Sequence, residues 1–244
     1  MAVAKKLKTI VVLPAYNAEK TLEKTVREIP KEVVEKIILV DDESHDKTLK
    51  IARKLNLTVF RHRKNRGYGA NQKTCYLMAL KHHPDIVVML HPDYQYDPQI
   101  IKYFVEFIGE GRFEVMLGSR IRSRREALAN GMPLYKYLGN RFLTIIENLV
   151  SGYNLSEWHT GMRAYKREVL ENIDFLKNSD DFLFDSQILF QIIEKGYRIG
   201  EIPVPVRYFP EVSSINFKRS LKYGLGTLAT AAKFLTRKIF LWNI

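Results

Sequence analysis

Cysteine is almost absent from this chain: Cys75 is the only one. That excludes a disulfide framework within the chain and suits a reducing compartment. Acids are also missing from one whole segment. From Val212 to the C-terminus there is no Asp or Glu, while Lys218, Arg219, Lys222, Lys233, Arg237 and Lys238 all lie there. Arg61 to Lys73 holds five cations without an acid, and Arg120 to Arg125 holds four arginines. No apolar run reaches the roughly 20 residues that span a bilayer. The opening MAVAKKLKTIVVLPAYN has neither a long apolar core nor a small-residue cleavage site, so no secretory signal is expected and the protein is read as cytoplasmic. No internal repeat or low-complexity linker is present.

What remains is a folded chain of 244 residues, 46% hydrophobic and 27% charged, with a net charge of +12. A chain of this length has room for a sizeable core, and one domain is the default. The basic field suits nucleic acid, an anionic membrane surface or a phosphate-bearing substrate. No interleaved aromatic–basic motif supports nucleic acid, so that partner is not expected.

The first half alternates short apolar runs with amphipathic stretches. TIVVL, IILV, LTVF, IVVML and EVMLG, which start at Thr9, Ile37, Leu57, Ile86 and Glu114, read as strands. Their continuous hydrophobicity suits parallel strands covered on both faces. Leu22, Val26 and Ile29 form one helical stripe between them, and Leu49, Ala52 and Leu55 another. Such alternation predicts a doubly wound α/β sheet with ligands at the carboxyl ends of its strands. Further on, Leu134 to Val150 reads as a helix with Leu134, Leu138, Phe142, Ile145 and Leu149 on one face. A helix near Phe184 to Lys195 follows, and then EIPVPVRYF, whose prolines predict an edge strand.

Three polar clusters follow predicted strands: PAYNAEKT, DDESHDKT and HPDYQYDP. In a parallel sheet they would converge on one crevice. Ser44 or Asp46 is expected to cap the next helix, and Asp97, just before Pro98, to cap another. Capping does not explain the consecutive acids Asp41 and Asp42 directly after a buried strand.

Together with NRGYGANQ, LGSR, TGMRAYKREV and GEIPVPVRY, these segments resemble, in order, the motifs of the inverting family 2 glycosyltransferases. The resemblance is strongest to the subgroup of dolichyl-phosphate mannose synthase and related polyprenyl-phosphate glycosyltransferases, and it runs from about Thr9 to Tyr223. It implies a GT-A type α/β fold: a mixed, mostly parallel, doubly wound sheet flanked by helices, with a Rossmann-like nucleotide half and an acceptor half. It implies a catalytic domain over 1–217, followed by a basic amphipathic helix over 218–244. The implied activity is metal-dependent transfer of a sugar from a UDP- or GDP-sugar to an acceptor, with polyprenyl phosphate favoured over a saccharide.

On the donor side the resemblance implies that Pro14, Tyr16, Asn17, Glu19, Asp41, Asp42, Arg66, Gly67 and Asp93 bind the nucleotide sugar. The family's D-x-D motif falls on His91-Pro92-Asp93, so a histidine replaces the first acid. Asp93, Gln95 and His91 are the implied ligands of Mn²⁺ or Mg²⁺, which prefer oxygen donors, with imidazole suiting Mn²⁺ better. On the acceptor side Arg120, Lys136, Asn140, Arg163 and Arg207 are the implied phosphate contacts, with Ser214 in a loop closing over the donor. The loop SEWHTGMRAY offers Glu157 and His159 as candidate bases, counted with Asp93 as the catalytic residues, although a phosphate dianion needs no base.

Two other readings stand beside this one. A nucleotidyltransferase would open with a glycine-rich basic loop, which PAYNAE is not. A catalytically idle sugar-nucleotide-binding protein is favoured only by His91. The C-terminal stripe of Leu221, Leu225, Leu228, Ala232, Leu235, Ile239 and Trp242 suits either packing on the domain or a twin subunit, or peripheral contact with an anionic membrane at the inner face of the cell.

Overall fold

The computed structural model describes residues 7–121, 125, 132–207 and 217–242; arginines 122 and 124 and Ser214 lie outside them. Its elements in order are β1 (Thr9–Ala15), α1 (Leu22–Glu28), β2 (Lys36–Asp41), α2 (Thr48–Lys54), β3 (Thr58–Arg61), α3 (Tyr68–Leu80), β4 (Ile86–Met89), α4 (Ile101–Gly109), β5 (Val115–Ser119), α5 (Leu134–Ser151), β6 (Arg163–Lys166), α6 (Arg167–Asn172), α7 (Phe184–Glu194), β7 (Ile199–Pro203) and α8 (Phe217–Trp242).

The seven strands form one sheet in the order β3-β2-β1-β4-β6-β5-β7. Strands β1 to β4 are parallel, as their unbroken apolar runs predict. Residues of β1 alternate between two cores, Ile10 and Val12 on one face of the sheet and Val11 and Leu13 on the other. The chain leaves β1 for β2 on one side and reaches β4 on the other, so a crevice opens between β1 and β4. Ala15 pairs with Asp41, Asp41 with Arg61, and Val12 with Met89, so the four carboxyl ends share one edge.

Strand β6 is antiparallel to both β4 and β5, and the sequence pattern did not announce it. Its four residues, RAYK, carry a buried arginine instead of an apolar run. The proline-bearing β7 lies at the sheet edge, as predicted, although it starts two residues earlier, at Ile199.

The long helices hold the main surprise. The stripe of Leu134, Leu138, Phe142, Ile145 and Leu149 on α5 faces solvent, each side chain more than half exposed. The buried side of α5 carries Leu143, Thr144, Glu147 and Ser151 instead. Helix α8 behaves alike: Thr227, Ala231 and Phe234 are buried, while Leu221, Leu225 and Leu235 are exposed. Its Ile239 and Trp242 side chains lie outside the described residues.

Candidate active site

The carboxyl-end loops are tied to one another before any ligand is considered. Asn17 N donates to Ser44 Oγ (2.9 Å), and His45 N to Asn17 Oδ1 (2.9 Å). Ala18 N donates to Thr48 Oγ1 (2.7 Å), Glu19 N to Asp46 Oδ2 (2.9 Å), and Lys47 N to Glu19 Oε2 (3.0 Å). Asp46 also accepts from Thr48 N at the start of α2, and Asp97 caps the turn before α4 by accepting from Gln99 N. Asp42, almost fully buried, accepts from His62 Nδ1 (2.7 Å), Arg66 N (2.9 Å) and Gly67 N (3.0 Å). The acid-rich motif after β2 is thus the seam between the loops after β1 and β3. Asn17, Glu43 and Tyr94, one in each of three strand-end loops, hold positive φ angles of 51°, 67° and 59°. Such backbone persists only where its surroundings over-determine it, and it clusters at functional sites.

These loops bound a cavity of about 930 Å³. Pro14, Tyr16, Asn17, Asp42, Gly67, His91, Asp93 and Gln95 line its donor-side wall, where the nucleotide was expected. Arg120, Lys136, Asn140 and His159 line the other side. Glu19, Asp41, Arg66 and Arg207 are not among the lining residues. Glu19 is held in the loop seam, and Asp41 is buried, accepting from Ser44 N with Arg61 3.4 Å away. Arg207 sits over the Tyr94 ring and pairs with Glu28. In NRGYG, a Cβ on Gly69 would meet Ser179 O at 2.4 Å, so this glycine admits the loop before α7 rather than a ligand.

Three acceptor-side expectations meet a different arrangement. Arg163 is fully buried beneath the cavity, donating to the carbonyls of Thr160 (2.8 Å), Asp185 (2.9 Å) and Trp158 (3.1 Å). It holds the framework and is out of reach of an acceptor phosphate. Glu157 is also fully buried, and takes bonds from Arg120 N, Arg120 Nε and Asn140 Nδ2. Burial alone would raise its carboxyl, but the Arg120 guanidinium and its hydrogen bonds reverse this and hold it below the usual range. Paired in this way the carboxylate positions Arg120, and its lowered proton affinity makes it a poor base.

His159 does line the cavity, but of its two ring nitrogens only Nδ1 has a hydrogen-bond partner. Nδ1 lies 2.5 Å from the Tyr223 hydroxyl on α8, and Nε2 lies 3.3 Å from Glu147 Oε2 on α5. Burial pushes the imidazole down to about 4 and, despite a bond from Ser186, the Glu147 carboxyl up to about 8. Both shifts favour the neutral form of each group and so disfavour an ion pair between them.

Glu147 makes a testable pH signature. Its folded value lies above its ordinary 4.5, so the folded chain holds a proton that the unfolded chain has released. The resulting stability is complete below pH 4.5 and is lost as the pH rises through about 8, at up to about 1.4 kcal/mol per pH unit. Glu147→Gln removes this slope. Urea unfolding from pH 5 to 9 should show the variant gaining on the wild type as pH rises; parallel curves would contradict the buried neutral acid.

Several wall residues were not assigned to the site from the sequence: Tyr68, Asp181, Phe182, Asp185, Arg219, Ser220 and Tyr223. Tyr68 donates to Asp185 Oδ2 (2.7 Å), and its ring stacks on His91, 5.3 Å between centroids. A Cβ on Gly161 would strike His91 Cδ2 at 2.7 Å, at the ring edge that also faces the Tyr68 hydroxyl. The acids of NSDDFLFD and the lone acid within α5 were the available signals.

Comparison with known proteins agrees with this geometry. The model of "Glycosyl transferase family 2" matches residues 10–174. An uncharacterized protein of Methanocaldococcus jannaschii is 32% identical over 198 residues, 81% of each chain. A UDP-N-acetylglucosamine–dolichyl-phosphate N-acetylglucosaminyltransferase of Methanococcus voltae is 28% identical, over 81% of this chain and 84% of its own. A dolichyl-phosphate hexose transferase of Haloferax volcanii is 29% identical, over 81% and 82%. Among solved structures, glucosyl-3-phosphoglycerate synthase of Mycobacterium tuberculosis bound to UDP superposes with a TM-score of 0.71 at 18% identity, covering 94% of this chain and 80% of that one. The same enzyme has been solved with Mn²⁺, UDP-glucose and phosphoglyceric acid, with a TM-score of 0.69. The GT-A fold is common to both, and the match over 10–174 makes this chain a member of glycosyl transferase family 2.

Proposed function

We propose that this glycosyltransferase moves a sugar from a nucleoside-diphosphate sugar, with inversion, onto a polyprenyl phosphate. The observation that carries the reading is the mixed charge of the cavity, with both carboxylates and cations on its walls. Asp42, Asp93, Asp181 and Asp185 lie on its walls with Tyr16 and Asn17, while Arg120, Lys136 and Arg219 also face it. Burial and the neighbouring Arg120 charge lower the Lys136 ammonium, and no described carboxylate pairs with it. A bound phosphate relieves that repulsion.

Among the described residues no group of three or more His, Cys, Asp or Glu could hold a metal ion. The donor set fits a cation that arrives with the diphosphate and completes its oxygen shell from it. Asp93 and Gln95 would hold it; Asp93 Oδ1 accepts from Gln95 N (3.0 Å), which fixes their loop. His91, stacked on Tyr68 with Nε2 3.2 Å from its hydroxyl, forms wall rather than ligand. Such a cation offsets the charge that develops on the departing nucleoside diphosphate.

In the reaction an acceptor phosphate oxygen bonds to the anomeric carbon as the bond from that carbon to the diphosphate oxygen breaks on the opposite face. The acceptor oxygen is already deprotonated, so no residue has to remove a proton. Arg120 and Lys136 orient it. The relatives named for dolichyl-phosphate transfer support this acceptor. It would bring the protein to the inner face of the cell membrane, and among the described residues no helix is long and apolar enough to cross one.

A thermal-shift screen of UDP- and GDP-sugars with and without Mn²⁺, followed by transfer to a short polyprenyl phosphate, tests this. A metal-dependent rise in Tm with one base and a lipid-linked sugar product are expected. Binding without transfer to any acceptor would favour the idle binding protein that His91 suggests, and no response to any nucleotide sugar would overturn the proposal.

A further inference from the structure

Tyr94 stands between Asp93 and Gln95, the two residues fitted above to the cation, and it is the strained member of their loop. Its φ of 59° lies in the left-handed region, which a bulky side chain holds only where its surroundings enforce it. Tyr94 does not line the cavity and is gripped from outside. Glu28, the last residue of α1, accepts a hydrogen bond from the Tyr94 hydroxyl. Arg207 lies over the Tyr94 ring, its guanidinium carbon 4.2 Å from the centroid, and reaches Glu28 Oε2 at 3.3 Å. Arg207 N also donates to Gln95 O (2.9 Å), next to an antiparallel bridge between Val206 and Tyr96. Gln99 Nε2 donates to Glu28 O (2.6 Å), so the end of α1 is tied to the segment that follows the loop.

The conformation of Tyr94 decides what Asp93 and Gln95 can do together. Asp93 Oδ1 accepts from Gln95 N (3.0 Å), closing a turn around Tyr94, and both residues line the cavity. With Tyr94 in the ordinary extended or right-handed region that turn opens, and the two side chains separate. The ends of the loop have their own anchors. Pro92 O accepts from Thr21 Oγ1 (2.6 Å), and the Tyr96 hydroxyl accepts from Gly161 N (2.9 Å). Glu28 and Arg207 act on the middle. A half-exposed Arg–Glu pair adds little by itself. Here both partners hold one ring, and the flat guanidinium suits its face as an ammonium does not.

We propose that Glu28 and Arg207 form a clamp on Tyr94 that presets the spacing of Asp93 and Gln95, making Arg207 a positioning residue for the cation and not a contact to phosphate. The clamp joins the end of α1 to the segment leaving β7, so the edge strand of the sheet acts on the loop after β4. What the loop positions rests on the donor reading above; that the clamp holds the loop does not.

Two measurements on the full chain test this. Hydrogen exchange of peptides covering 92–97 reads the loop without ligand, and Arg207→Ala should exchange there about tenfold faster at a Tm close to wild type. Electron paramagnetic resonance of Mn²⁺ in the presence of UDP or of GDP reads the cation. Arg207→Ala should weaken Mn²⁺ binding about tenfold and Arg207→Lys by less, while Glu28→Ala, on the other side of the clamp, should move both readings in the same direction. In the Arg207→Ala background, Tyr94→Asn, which tolerates positive φ, should recover Mn²⁺ affinity, and Tyr94→Ala should not. A residue that merely stabilised the fold would not separate asparagine from alanine in this way. Wild-type exchange or wild-type Mn²⁺ affinity in Arg207→Ala would overturn the proposal. So would weakened binding of UDP and GDP without metal that Tyr94→Asn fails to restore, because Arg207 would then meet phosphate directly. Faster exchange in Arg207→Ala, in a protein that binds no Mn²⁺ with either nucleotide, would uphold the clamp and remove the metal-dependent donor reading instead.

Discussion

Asp93→Ala will lower kcat for sugar transfer by roughly 10²–10³-fold while leaving Tm unchanged, and His91→Ala will lose less than about tenfold. The two residues stand two apart on the loop after β4, and both line the cavity. If it holds the cation as proposed, Asp93 fixes positive charge where negative charge accumulates on the leaving diphosphate. Truncating it removes an interaction that strengthens as the bond breaks, so kcat falls rather than KM alone rising. His91 fills the gap between Tyr68 and Gly161, and its loss loosens a wall. Steady-state kinetics of both variants across a Mn²⁺ titration separates the roles. Equal losses in the two, or intact transfer by Asp93→Ala, would reassign the ligand.

Arg163→Met is expected to behave in the opposite way, failing in stability before activity is considered. Arg163 is fully buried and serves three carbonyls, with the Asp185 carboxylate 3.7 Å away. Methionine fills much of the volume and leaves those acceptors unpaired. Breaking a buried charged network from one side costs about 3–5 kcal/mol. For a chain of this size that is a fall in Tm of about 6–20 °C. Calorimetry of the variant without ligand is the decisive measurement. A wild-type Tm with weakened acceptor binding would return Arg163 to the phosphate site from which its burial removes it.

The donor half of this protein was legible because its physics is local. Each strand of β1 to β4 is a continuous apolar run, and each polar cluster sits where a parallel sheet must present it. Even so, Asp42 and Glu19 were legible as important rather than as what they do. Their partners, Gly67 N and Lys47 N, lie 25 and 28 residues away, and no pattern records such a pairing. The acceptor half was less legible. Strand β6 hides behind a buried arginine, and the roles of Glu157 and His159 depend on Arg120, Glu147 and Tyr223, which only the tertiary fold brings near. The stripes of α5 and α8 show the limit of periodicity most plainly. A period of 3.6 reports that a helix has an apolar face, but not whether that face meets the core.

The seam between the first three loops also bears on how the donor is received. Five hydrogen bonds join the loop after β1 to the segment after β2, and Asp42 gathers two amides of the loop before α3. Segments that would otherwise be ordered by a ligand are already held by folding. The conformational entropy of shaping this pocket is therefore not charged against donor affinity. A nucleotide bound against this wall would meet loops already tied together, so discrimination between bases would rest on fit to them, not on which base best drives a loop to close.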